Sequence, residues 1–250
     1  MRLGKCSVLA LVVAVLGMPA VTQAQPAEAQ SESPAPTLLA TGHLASVDVL
    51  PFFFRLYRAH LPAAQHASYR GSSAMLYDLS GAPAVEIDGA PAQPLPEGAG
   101  VFVAAGQEAV VRAAASGPTD MLLFVLSARP NQPPPLDRPA VTKELYRTPD
   151  ALPGLRAGPY EFSLARLTFP AGMPANPAYY RSGAALDYVL AGAGALTADG
   201  KTEAMSAGMP LFESFGWVHS LANPGGMPLV LLEANISREG DPAVHPVAEK

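Results

Sequence analysis

The sequence predicts an all-β chain built as two tandem small barrels, and three observations predict it. First, Tyr69-Arg70, Gly81 and Gly89 share their spacing with Tyr180-Arg181, Gly192 and Gly200, eleven residues and then eight. Upstream, Arg58-Ala59-His60-Leu61-Pro62 lies over Arg166-Leu167-Thr168-Phe169-Pro170, and downstream Val101-Phe102-Val103 and Gly106 lie over Leu211-Phe212-Glu213 and Gly216. A period of roughly 110 residues is far above the 20 to 50 of stacked repeats, so it marks a duplicated domain. Second, short apolar runs alternate with Gly, Pro and Asp-Gly, which are strand and turn signals. Third, no long amphipathic helix interrupts them.

Taken in order, Arg2 and Lys5 give a basic start, residues 7–16 are apolar, and Thr22 and Ala24 are small residues where a signal peptidase inspects the chain. The apolar run falls well short of the roughly 20 residues that span a bilayer. The expectation is a signal peptide over residues 1–24, periplasmic or secreted localisation, and no membrane span after cleavage. The one cysteine, Cys6, lies before the apolar run, so the mature chain has neither disulfides nor thiolate chemistry. Without Arg2 and Lys5 the basic residues fall from 16 to 14 against 21 acidic, a formal charge of −7. Nucleic acid is excluded as a partner, because its binding needs a concentrated basic surface.

Residues 25–37 are rich in Ala, Pro, Ser and Glu and predict a disordered lead-in. A first barrel is expected over 38–128, with strands at 52–56, 75–79, 84–87, 101–103, 110–111 and 121–126. A second is expected over 154–240, with strands at 162–169, 186–190, 195–198, 211–213, 218–221 and 229–234, followed by a tail over 241–250. Asp88-Gly89 and Asp199-Gly200 are hairpin-turn pairs, because two positive φ values cost little only in such residues. Between the barrels, 129–153 carries seven prolines and reads as connector, with a helical turn as an option at 142–147.

In the second half, Gly208, Ser214, Gly216, His219 and Asn223 follow the spacing G-x5-P-x-G-x2-H-x3-N, with Ser214 in place of the proline. This resembles the second signature of the cupin superfamily, a double-sheet jelly-roll barrel. The first cupin signature, G-x5-H-x-H-x4-E-x6-G, fits by spacing from Gly172 to Gly192, but Ala178, Tyr180 and Ala185 fill its ligand positions. The resemblance implies a bicupin. It also implies a divalent transition metal held by three histidines and a glutamate, of which only His219 matches. One imidazole does not hold such an ion tightly, so no cofactor is assigned. The first half places Ala67, Tyr69, Ala74 and Ala109 at the corresponding positions, so it reads as a structural partner and the second half as the working site.

Strand alternation puts 185, 187 and 189 on one face, so an inward Ala185 brings Asp187 inward as an acid, base or replacement ligand; a bulge would turn it outward. Glu213 and Glu233 follow as lesser candidates of the same kind. His219 reads either as a pocket-facing imidazole or as a hydrogen-bonded group at the barrel mouth. Tyr180 lines the pocket or packs structurally, as its counterpart Tyr69 suggests. Arg181 and Arg70 repeat together, which points to a shared salt bridge or turn contact. His60 and His66 read as surface or loop residues, while His43 and His245 carry no chemical signal.

The expected ligand-binding set is therefore Tyr180, Asp187, Phe215, Trp217 and His219, with His219 and Asp187 as catalytic candidates. The function this supports is an exported bicupin binding a small organic molecule without a complete metal site. A cupin-type enzyme, such as a dioxygenase, decarboxylase or isomerase built around His219, is the second reading, and a structural protein with filled barrels the third. A homodimer is compatible with all three.

Overall fold

The computed structural model describes residues 34, 36–44 and 51–247. The expected signal peptide and most of the lead-in lie outside the described residues. Among those described there is no helix long and apolar enough to cross a membrane.

Two strands show where the cores lie. In β4 (Ser73–Ser80) every residue from Ser73 to Asp78 is buried, and in β13 (Ala184–Ala191) every residue from Ala184 to Val189. A sheet with one wet face alternates buried and exposed positions, so continuous burial means both faces are covered. Ala74 and Leu76 face the interior of the first barrel, while Met75 and Tyr77 face outward into a core shared with Leu186 and Tyr188 of the second.

The first barrel runs through β2 (Phe53–Leu61), β3 (His66–Arg70), β4, β5 (Ala84–Ile87), β6 (Gln93–Pro94), β7 (Gly100–Val103), β8 (Glu108–Arg112) and β9 (Thr119–Ser127). The second runs through β11 (Tyr160–Phe169), β12 (Tyr179–Arg181), β13, β14 (Ala193–Ala198), β15 (Lys201–Ser206), β16 (Pro210–Glu213), β17 (His219–Ala222) and β18 (Leu229–Arg238), with β19 (Val244–Pro246) as a tail strand. The expected all-β architecture of two tandem jelly-roll barrels is what forms. Asp88-Gly89 and Asp199-Gly200 take positive φ at both residues, +49° and +73°, then +50° and +72°.

Each barrel is preceded by one strand, and the two are exchanged. β1 (Thr37–Leu44) pairs antiparallel with β11 of the second barrel, and β10 (Val141–Arg147) pairs antiparallel with β2 of the first. The sheets therefore run β10-β2-β9-β4-β7 opposite β3-β8-β5-β6, and β1-β11-β18-β13-β16 opposite β15-β14-β17-β12-β19. This corrects two expectations. Residues 38–44 belong to the second barrel's sheet, and the connector contains a strand where a helical turn was an option. Its prolines lie on either side of 141–147, so nothing there removes a ladder donor, and the open edge of β2 supplies the partner. β3, β6, β12, β15 and β19 also fall outside the expected strands, being short or polar.

Between the barrels the apolar faces of the two large sheets pack together. Phe162 stands at the centre, its ring 6.1 Å from that of Phe54 and 6.3 Å from that of Phe102. Gly42 of β1 permits this, since a Cβ there would lie 2.2 Å from the Phe102 ring. Phe162 is fully buried, so Phe162→Ala is expected to cost about 3–5 kcal/mol. The shared core should keep unfolding cooperative. The lone tryptophan, Trp217, reports on the second barrel and far-UV circular dichroism on both, and their urea transitions should coincide.

Candidate binding site in the second barrel

Register and alternation decide what enters the second barrel. Across β16, β13 and β18, Glu213, Ala185 and Asn235 make one inward row, and Leu211, Asp187 and Glu233 make the next. From the opposite sheet Tyr179 of β12 pairs with His219 of β17, and Arg181 follows two residues later on the same face. The interior thus collects three carboxyl groups, a guanidinium, an imidazole and a phenol. The first barrel has the same rows filled by Val103, Ala74 and Val125, then Val101, Leu76 and Leu123, with Ala109 opposite Tyr69. Its inward side chains are largely buried, with an apolar pocket of about 220 Å³ beside Val85, Leu95 and Val101, and Leu136 of the connector is buried against it beside Tyr69.

Glu213 is the hub. Its Oε2 accepts from Arg181 Nε and its Oε1 accepts from the Tyr179 hydroxyl at 3.1 Å. His219 Nε2 lies 3.0 Å from the same Oε1, but off the line of a straight hydrogen bond. Arg181 turns its Nη2 to Glu233, and its guanidinium lies 5.6 Å over the Tyr179 ring. The imidazole of His219 is held between Tyr179, 4.3 Å away, and Trp217, stacked at 4.7 Å, with Nδ1 donating to the Trp217 carbonyl at 3.0 Å.

Burial by itself would raise the Glu213 carboxyl, but Arg181 and His219 outweigh it and hold the group well below the usual carboxylate range. Asp187 goes the other way: burial, reinforced by the Glu213 and Glu233 carboxylates, holds it well above that range. It keeps its proton where an exposed aspartate is ionised, and can donate it to Glu213. Burial and the charge on Glu213 likewise push the Tyr179 phenol up, so it remains a donor. Burial opposes the charge on Arg181, and its carboxylate partners more than restore it. Asp187 Oδ1, Arg181 Nη1 and Asn235 Oδ1 are buried without a protein hydrogen-bond partner.

A cavity of about 310 Å³ opens beside this cluster. Leu167, Phe169, Pro177, Val244 and Pro246 form its apolar walls, and Tyr179, Arg181 and Glu233 form its polar end. Val244 and Pro246 reach it because β19 adds to the edge of β12.

No family model and no curated protein matches this sequence. Solved structures do match. Oxalate decarboxylase, in a structure of its substrate binding mode, superposes with a TM-score of 0.54 at 14% identity, over 77% of this chain and 71% of that one. Bacillus subtilis oxalate decarboxylase, studied for its Mn(II) centres, matches with a TM-score of 0.54 at 14% identity, over 86% of this chain and 80% of that one. A tryptophan-to-tyrosine variant of the Bacillus subtilis enzyme gives 0.53 at 14%, over 77% and 71%. The chain has the bicupin fold. At such identity the likeness concerns fold alone.

The metal that a bicupin fold implies does not fit this interior. The Arg181 guanidinium is already forked between Glu213 and Glu233, so a divalent ion would face a fixed positive charge instead of free ligands. Among the described residues no three His, Cys, Asp or Glu side chains are placed to hold a metal ion.

Of the residues singled out from sequence, the bicupin brings Asp187 and His219 together inside the barrel, both about 1% exposed. Trp217 is half-buried behind His219. Tyr180 lies on the other face of β12, stacked on His245 at 5.1 Å, and Phe215 is 47% exposed over Gly154. Both therefore stand outside the cluster. Alternation is the reason for Tyr180: its neighbours Tyr179 and Arg181 point inward, so it points out. Strand pairing matches Tyr69 with Tyr179, not Tyr180, because three residues separate Tyr69 from the start of β4 whereas four separate Tyr179 from the start of β13. Arg70 and Arg181 are accordingly not equivalent: Arg70 is exposed beside Glu108 at 2.6 Å, and Arg181 is buried. Asn223 ties a loop, donating to the carbonyls of Phe169, Pro170 and Met227. His60 is exposed beside Asp120, and His43 beside Glu239.

Two outcomes follow from these charges. Arg181→Met leaves Glu213 and Glu233 without their cation and is expected to cost about 3–5 kcal/mol near pH 7; urea midpoints should show part of it regained in acid, as Glu213 takes up a proton. Asp187 is protonated when folded and ionises near pH 3.9 when unfolded, so its contribution falls as pH rises above that value. Glu213 has the opposite sign, but its contribution is complete above the ordinary glutamate value and is lost only at lower pH. The share that Asp187 contributes is thus a fall in stability as pH rises above about 3.9. Asp187→Asn should reduce that fall, as read from urea melts at each pH.

Proposed function

We propose that this chain is an exported bicupin that binds a small organic molecule in its second barrel, with the Arg181 guanidinium as the resident cation where relatives of this fold keep a metal. The single observation behind the proposal is the cavity that runs from apolar walls to Arg181 and Glu233. Small-molecule sites combine these features, a mostly apolar surface of a few hundred cubic ångströms with few polar groups converging on it. The first barrel, whose inward rows are apolar, acts as support. A purely structural role for the second barrel is disfavoured by the same cavity.

A second reading, an acid-base enzyme, is favoured by the pairing of Asp187, held protonated, with Glu213, held ionised. Carboxyl groups pushed apart in this way divide into acid and base roles. The decarboxylase activity of the structural neighbours is not carried over, because their Mn(II) centres have no counterpart among the ligands around Arg181.

Screening alicyclic and aromatic compounds of six to ten carbons by thermal shift should find ligands that raise the midpoint, since binding to the folded state alone stabilises it. Phe169→Trp, which fills the cavity wall, should abolish the shift while keeping the fold. Elemental analysis of protein purified without added metal should find no stoichiometric transition metal. One bound equivalent would overturn the assignment of Arg181 as resident cation.

A further inference from the structure

We propose that β19 is a strap that opens and closes the polar end of the second-barrel cavity, swinging about Gly240. The proposal rests on the reading of that cavity as a binding site only for what passes the strap. Leu167 and Phe169 of the large sheet and Val244 and Pro246 of the opposite sheet wall the cavity. In the register Val244 lies beside Arg181 and Pro246 beside Tyr179, so the strap shields two residues of the polar end. Under it Arg181 is 1% exposed and Tyr179 8%. Without β19 this edge of β12 is bare, since its other neighbour, β17, lies on the far side.

The strap is held lightly. No residue from Pro242 to Val247 is buried, so it loses little apolar contact on leaving, whereas Ala184 to Val189 of β13 are buried throughout and fixed. At its two ends Ser182 N–H donates to the Ala243 carbonyl at 3.2 Å and Val247 N–H to the Ala178 carbonyl at 2.8 Å, and Pro246 between them has no N–H to give. The Ser182 hydroxyl adds a bond to the Pro242 carbonyl at 2.7 Å. On the outer face His245 stacks on Tyr180 at 5.1 Å and acts as the latch. The hinge is Gly240, just after β18: its φ is +84°, and no atom lies within 4 Å of where a Cβ would stand. Opening dismantles nothing inside, because Tyr179, Arg181, Glu213 and Glu233 hold one another without a bond to the strap.

Hydrogen exchange near pH 7 tests the motion, and alkylation tests what it gates. Corrected for intrinsic rates, the Val247 amide is expected to exchange about a hundredfold faster than the amides of the β11–β18 ladder. Tyr180→Ala, which removes the latch without touching the cavity, should speed it about fivefold more. Equal protection of strap and ladder, or exchange that Tyr180→Ala leaves unmoved, overturns the proposal. Phe169→Cys places a thiol on the cavity wall, where iodoacetamide reaches it through the open state; its alkylation, read at position 169 by mass spectrometry, should rise with Tyr180→Ala by the same factor as the exchange. Alkylation that ignores Tyr180→Ala makes β19 a fixed wall and likewise overturns the proposal. Leu167→Cys replaces Phe169→Cys if that variant fails to fold. Neither readout needs a ligand, so a strap that opens on a cavity stabilised by none of the screened compounds removes the binding-site reading and leaves the gate.

Discussion

The contact between Arg181 and Glu213 governs the interior of the second barrel. A carboxylate with no exposure at all is one of the most expensive groups a fold can bury, and removing its cation leaves a charge that neither water nor protein can answer. Around this pair the other side chains take their states by necessity. Tyr179 completes the hydrogen bonding of Glu213 and keeps its proton because of it. Glu233 takes the other arm of the guanidinium, and Asp187, left without a cation of its own, is neutral. The fork geometry of arginine matters here, since a lysine presents a point charge that cannot bridge two carboxylates in fixed directions.

The two halves show how a duplicated scaffold divides labour. Position for position, the rows that carry Glu213, Asp187 and Glu233 in one barrel carry Val103, Leu76 and Leu123 in the other. An apolar barrel of this size packs at crystal-like density and gains burial from every inward side chain. The polar barrel gives up part of that gain. It retains its shape because the shared core around Phe162 braces its large sheet from outside, against the apolar face of the first barrel's large sheet.

The architecture was legible in the sequence to a large degree, because glycine and Asp-Gly turns punctuate the strands and the duplication repeats them. Asp187 was legible for a simple reason: alternation along one apolar strand leaves a polar residue on the inward face with few alternatives. Arg181 reads as a salt-bridging residue and is one, but its inward face is hidden by its alignment with Arg70 for an equally physical reason. The Tyr-Arg pairs align in sequence, yet a single added residue before β13 shifts the second pair by one, and in a strand a shift of one exchanges the faces. Tyr180 took the role that belongs to Tyr179 through the same offset. The signal present in the sequence was charge balance: Glu213 and Glu233, both assigned inward, require a cation, and Arg181 is on the strand that crosses them. β10 was hidden among prolines, since its partner edge comes from a barrel that local pattern does not reveal.

The exchange of leading strands has a consequence for how such a chain comes into being. Thr37 pairs with Arg166, so the first strand to leave any channel that delivers the chain from its N-terminus has no partner until nearly 130 further residues have followed. At a synthesis rate of about 5–20 residues per second that interval is roughly 6–26 s. Throughout it β1 is an unpaired edge, and so is the β2 edge that waits for β10. Cut before β10, each half would lose the edge strand that the other half carries, so an open edge would be left on both large sheets.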